Sequence, residues 1–145
     1  MHEDSNYFIW NKGDVYFLDK EKYFKTSEFA CHCNFKDCVE QRISKSLITK
    51  ISKVRSDIAE PIVITSGFRC SKYQEKLRNE GVNTVVAKKS THELGQAVDF
   101  YPIRMKIPQF LVFVDKYFNS IGIAKTFLHA DLRGQDDKKE RRWNY

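Results

Sequence analysis

QRISKSLITKISKVRSDIA (residues 41–59) runs directly into EPIVIT (60–65), and the fold class turns on the change of period between the two. In the first, Ile43, Leu47, Ile51, Val54 and Ile58 recur at steps of three and four residues with Ile48 beside them, which predicts an amphipathic helix over 41–59. Glu60-Pro61 stops it. Ile62 to Thr65 is short, β-branched and bounded by proline and Ser66-Gly67, so it reads as a buried strand.

Working outward, residues 71–80 are polar and helix-prone with Gly81 placed to end the helix, and 82–91 read as a loop. Ala97 to Tyr101 predicts a second strand, Pro108 to Phe118 a helix opened by proline in its first turn, and Thr126 to Leu132 a third strand. Upstream, Thr26-Ser27-Glu28-Phe29 predicts a short helix with a capping hydroxyl ahead of an acid, and Val15 to Leu18 a short strand. Strands and helices mix without a βαβ rhythm. The expectation is α+β, a small, mainly antiparallel sheet with helices packed on one side.

The 145 residues suit one domain able to bury a core, and with 3 Pro and 6 Gly no linker divides residues 1–145. Hydrophobic residues at 41% beside charged ones at 30% exclude a disordered or fibrous chain. No apolar run nears the roughly 20 residues of a membrane span. Met1 to Trp10 has neither a basic start nor a long apolar stretch, so no export signal is expected, and a target beyond a membrane would be reached after release or delivery. The net charge of +6 favours a polyanionic partner, nucleic acid or anionic cell wall, although charges spread along the chain also suit a plain solvated surface. Nucleic acid is not expected. The basic tail Lys138 to Trp143 is mixed with Asp136, Asp137 and Glu140, and no nucleic-acid motif is present.

Cys31, Cys33 and Cys38 crowd one octapeptide, and Cys70 stands apart. With His32 the cluster offers a small structural zinc site, but there is no C-x-x-C pair and no second pair at zinc-ribbon distance, so reduced thiols or one disulfide are expected.

Ser90-Thr91-His92-Glu93-Leu94-Gly95-Gln96-Ala97-Val98-Asp99 sets an imidazole and a carboxylate seven residues apart with a glycine for the turn between them. In Phe127-Leu128-His129-Ala130-Asp131, alternation puts Phe127, His129 and Asp131 on one face. Each residue alone has a bland explanation, as a core histidine or a strand-end carboxylate. Together, two histidines and a carboxylate leave the fourth zinc position to water, as a catalytic site requires.

Ser-x-His-x-x-Gly-x-Ala-x-Asp, as Ser90 to Asp99, resembles the first zinc motif of the zinc D-alanyl-D-alanine carboxypeptidases, relatives of the hedgehog signalling domain. Thr26 to Phe29, Thr65 to Cys70, Phe127 to Asp131 and Arg142-Trp143 resemble further landmarks in the same order, covering about 24–145 and leaving 1–23 as an N-terminal extension. The resemblance implies one catalytic Zn2+ on His92, Asp99 and His129. It places Arg69 on the substrate's carboxylate and Ser90 beside it as a substrate-binding residue. The implied activity is that of a peptidase of D-Ala-D-Ala carboxypeptidase or endopeptidase type acting on peptidoglycan peptides, as in a phage lysis enzyme; a monomer is expected. A guanidinium fork suits a carboxylate; the plain alternative for Arg69 is a surface salt bridge.

The chain departs from the family at the catalytic acid or base, found in many relatives a few residues before the last zinc histidine. Thr126, Phe127 and Leu128 stand there and none shuttles a proton. Asp131, in a His-x-Asp pattern resembling one branch of the family, is the candidate that remains. The competing reading is a non-catalytic zinc-containing module that binds cell wall or serves a structural role.

Overall fold

Ala97 to Phe100 are all buried, as befits a strand with neighbours on both edges and material on both faces. In the computed structural model, which describes residues 1–80, 90–135 and 137–145, this strand, β5 (Ala97–Pro102), is second in a five-stranded sheet. Its companions are β4 (Ile62–Ser66), β6 (Ser120–Ile123), β7 (Leu128–Asp131) and β8 (Arg141–Asn144), in the order β4-β5-β7-β6-β8. All pairs are antiparallel except β6 with β8. A second sheet, β1 (His2–Glu3), β2 (Tyr7–Asn11) and β3 (Glu40–Ser44), is antiparallel throughout. With α1 (Lys45–Ile58), α2 (Ser71–Asn79) and α3 (Ile107–Val114), the fold is α+β and mainly antiparallel.

The helices bury the stripes that their spacing promises. Leu47, Ile48, Ile51, Val54 and Ile58 of α1 and Phe110 and Val114 of α3 enter one core with Val98, Phe100, Ile121 and Leu128 from the sheet. Phe100 meets Phe110 edge-to-face with ring centroids 5.0 Å apart. Burying one such side chain contributes about 1.5–3 kcal/mol. The residues before 24, which carry none of the family landmarks, supply Trp10 and Leu18 to that core and pair β2 with β3.

Several boundaries differ from expectation. The predicted helix over 41–59 begins only at Lys45, because Glu40 to Ser44 pair with β2; Ile43 is a strand residue, and the Ser44 hydroxyl accepts the Leu47 N–H at 3.3 Å as the helix cap. Val15 to Leu18 form no strand beyond a single bridge from Phe17 to Lys25. Thr26 does not cap: its hydroxyl binds the Asp14 carbonyl, and the 3-10 turn Thr26–Glu28 starts from Lys25, whose N–H Glu28 accepts at 2.7 Å. The helix predicted from Pro108 to Phe118 ends at Val114, and the strand predicted over 126–132 is Leu128–Asp131. Gly81 and most of the loop predicted over 82–91 lie outside the described residues; the last helical residue of α2 is Asn79.

Candidate metal centre

A single rung crosses the large sheet. Ser66 of β4 pairs with Asp99 of β5, Asp99 with His129 of β7, His129 with Gly122 of β6, and Gly122 with Trp143 of β8. Residues on one rung of a pleated sheet point to the same face, so strand pairing alone brings Asp99 and His129 together from 30 residues apart. A register shift between Ile64 and Ser66 puts Ser66 rather than Thr65 opposite Asp99, the kind of bulge that re-aims a side chain. Gly122 has no side chain, and the Trp143 indole occupies the space, so a Cβ there would lie 2.7 Å from the ring. Trp143 in turn leans on His129, ring centroids 5.4 Å apart.

His92 reaches the rung from a turn. Gly95 adopts φ +69° to close it, and a Cβ at that position would lie 2.8 Å from the Arg42 carbonyl oxygen. The Ser90 hydroxyl accepts the His92 N–H at 3.1 Å, which holds the turn and leaves Ser90 bound to backbone. His92 Nδ1 lies 2.7 Å from the Gly67 carbonyl, so it carries the proton and Nε2 faces Asp99 Oδ1 at 3.3 Å with its lone pair.

Asp99 Oδ1 also lies 2.9 Å from His129 Nδ1, while Oδ2 accepts from Arg69 Nη2 at 3.2 Å. One ligand atom from each of His92, Asp99 and His129 falls within 4.8 Å of the others, all three residues buried. The donor set fits a zinc ion, whose catalytic sites use three N and O ligands with the far ring nitrogens bonded to carbonyl or carboxylate. Both far nitrogens are so bonded here: His92 Nδ1 to Gly67, and His129 Nε2 to Asp131 Oδ2 at 2.7 Å.

That last contact bears on Asp131. Its side chain is fully buried, and both its oxygens also accept from Arg133, at 3.1 Å from Nε and 3.0 Å from Nη2. It stands on the side of His129 away from Asp99. Arg69 spends three of the five N–H donors a guanidinium carries, on Ser66 Oγ (2.9 Å), Gln74 Oε1 (3.2 Å) and Asp99.

The electrostatics follow from these contacts. Burial opposes charge on Asp99, but His92 and His129 outweigh it and hold the carboxyl far below its ordinary range. Asp131 is likewise held low, with His129 and Arg133 overcoming burial. Burial pulls His92 below its ordinary range, outweighing Asp99 beside it. For His129, burial pulls the same way but loses to Asp131 and Asp99, so its pKa is raised.

Residues 22–131, well over half of the chain, match the Peptidase M15 family. The chain belongs to the M15 family of zinc peptidases, whose members resemble D-Ala-D-Ala carboxypeptidase. No curated protein matches it. Membership agrees with the α+β fold and with a zinc metallopeptidase. Sequence reading did not single out Ser66 and Gln74, which bond to Arg69, or Arg133, which bonds to Asp131. Ser66 lay inside a recognised landmark, but polar residues of this kind leave no periodic trace.

Proposed function

We propose that this M15 chain hydrolyses peptide bonds of bacterial peptidoglycan, in stem peptides or cross-links, with one zinc on His92 Nε2, Asp99 Oδ1 and His129 Nδ1. The observation that carries the reading is the convergence of those three atoms while the other nitrogen of each ring is committed elsewhere. A zinc ion bound there would polarise a scissile carbonyl and acidify a water.

The surrounding residues divide the work. Gly67 and Ser90 fix the orientation of His92, and Asp131 fixes that of His129. The engagement of Asp131 with His129 and Arg133 favours a positioning role over the proton transfer expected from sequence. Arg69 keeps Asp99 in place through Oδ2 and has further N–H groups for a substrate carboxylate or carbonyl, which would lower the entropic cost of orientation. Ser90, expected at the substrate, is engaged by the His92 N–H, which favours a role in holding the turn. Among the described residues no helix is long and apolar enough to cross a membrane. The setting we propose is a monomer acting on the cell wall after release or delivery, as a phage lysis enzyme does, with no nucleic acid involved.

The test is digestion of purified peptidoglycan by zinc-loaded protein, with products followed by mass spectrometry. Free D-alanine would mark a carboxypeptidase and separated cross-links an endopeptidase. Intact muropeptides in the presence of bound zinc would overturn hydrolysis and leave the wall-binding or structural module.

A further inference from the structure

Cys31, Cys33 and Cys38 are joined in space by Cys70, one residue after Arg69, and the four sulfurs all lie within 4.8 Å of one another. His32 does not take part; its Nε2 contacts the Thr65 carbonyl at 3.0 Å. We propose that these four cysteines bind a second, structural zinc ion as a closed tetrathiolate site, separate from the one on His92, Asp99 and His129.

Geometry separates this from the alternatives. The Cys31–Cys70 and Cys70–Cys33 sulfur distances are each 3.8 Å, and all four thiols are free. A disulfide would bring two sulfurs to about 2.05 Å. Four sulfurs arranged tetrahedrally about 2.3 Å from a zinc ion are separated by about 3.8 Å along each edge. An iron–sulfur cluster, with its inorganic core between the ligands, would hold them farther apart than a single ion does.

Thiols merely packed in a core need no donors, yet three of these sulfurs have one. The Cys70 N–H points to Cys31 Sγ at 3.4 Å, Gln41 Nε2 to Cys38 Sγ at 3.4 Å, and the Lys12 ammonium to Cys33 Sγ at 3.6 Å. Such contacts suit thiolates, which accept far better than thiols, and they form the outer layer that orients metal ligands. Gln41, fully buried, holds the loop at both ends, since its Oε1 accepts the Cys31 N–H at 2.7 Å. Phe68 is buried against the cluster, and Phe35 and Tyr73 cover it. Four ligands and an apolar wrap leave no position for substrate, which is the signature of a structural site.

The fold has a use for such an ion. Residues 30–39 contain no helix or strand, and a bound metal would tie this loop to the turn that presents the Gly67 carbonyl to His92 and Arg69 to Asp99. The tetrathiolate stands whether or not the proposed hydrolysis does. Only its effect on the active centre rests on that reading.

Elemental analysis of protein purified under reducing conditions should find two zinc ions per chain. Cobalt substitution adds a signature that the histidine–carboxylate centre cannot produce, sulfur-to-metal charge transfer in the near ultraviolet. His92→Ala should lose one metal and keep that band; Cys38→Ser should weaken or abolish it. Should Cys38→Ser fail to fold, alkylation of the wild-type protein decides: the four thiols should resist reagent until a chelator is added. Rapid alkylation with zinc content unchanged, a native disulfide among the four, or iron in place of zinc would each overturn the proposal.

Discussion

His129 is the residue on which most forces in the site converge, with Asp99 on one nitrogen and Asp131 on the other. Without metal, both nitrogens face carboxylates and the ring holds its proton to a higher pH than usual. On the proposed ligand set, His129 would give up its Nδ1 proton when zinc binds. The sign follows: apparent zinc affinity is full above the raised pKa of His129 and declines as pH falls through it, by about tenfold per pH unit for one displaced proton. Titrating zinc against a chelating dye across pH 5 to 8 measures this, and an affinity flat over that range would remove His129 from the ligand set. Asp131→Asn tests the other nitrogen. An outer partner of a ligand typically contributes 10–100-fold in metal affinity or activity, so the variant should bind zinc about that much more weakly and regain much of its activity when zinc is added. A fall of about 10²–10⁴-fold at full zinc occupancy would instead make Asp131 the proton-transfer group.

At the scale of elements, the centre depends on the order of strands more than on any loop. Gly122 matters because β6 lies between β7 and β8, and the Trp143 indole crosses it to reach His129. Gly122→Ala would place a Cβ 2.7 Å from that ring. Trp143 must yield, being on the terminal strand of the sheet, so zinc content should hold while kcat/KM drops, about tenfold for a misplacement beside the reacting groups. Unchanged kinetics together with a changed Trp143 fluorescence, which reports the indole displaced, would mean that the indole is only a cover. The same elements explain what was legible beforehand. Helix α1 and strands β4, β5 and β7 were readable because their apolar spacing is strong and their ends carry Ser-Gly and Pro signals. Strand β3 was absorbed into the helix because Ile43 happens to fit both periods, and its partner β2 lies some thirty residues away. Strand β6, Ser-Ile-Gly-Ile, alternates over only four residues with a glycine among them, and β8, Arg-Arg-Trp-Asn, shows no apolar period. The three residues proposed as ligands were read from their motif, whereas the place of Cys70 beside the other cysteines, 32 residues beyond Cys38, comes only from tertiary packing.

For the whole molecule the remaining feature is charge. The site's acids do not add to the surface field, because Asp99 and Asp131 are buried and each is matched by an arginine, Arg69 or Arg133. Lys72 with Asp37, and Arg142 with Asp115, cancel more pairs at the surface. With these pairs cancelled, the net +6 rests on the chain's other cations. A field of this sign raises the local concentration of a polyanion but contributes little once salt shortens its reach, about 10 Å at 0.1 M and 3 Å at 1 M. If the target is an anionic wall, co-sedimentation with purified sacculi should fall several-fold as salt rises from about 0.05 to 0.5 M. Cleavage of a short, uncharged stem-peptide analogue should change by less than about twofold over the same range, since the contacts in the site are buried and little screened. Removing the wall's anionic polymers before the assay should give the same loss of binding at low salt. Binding that ignores both salt and polymer would locate recognition in the cleft itself and leave the basic surface without a role in finding the substrate.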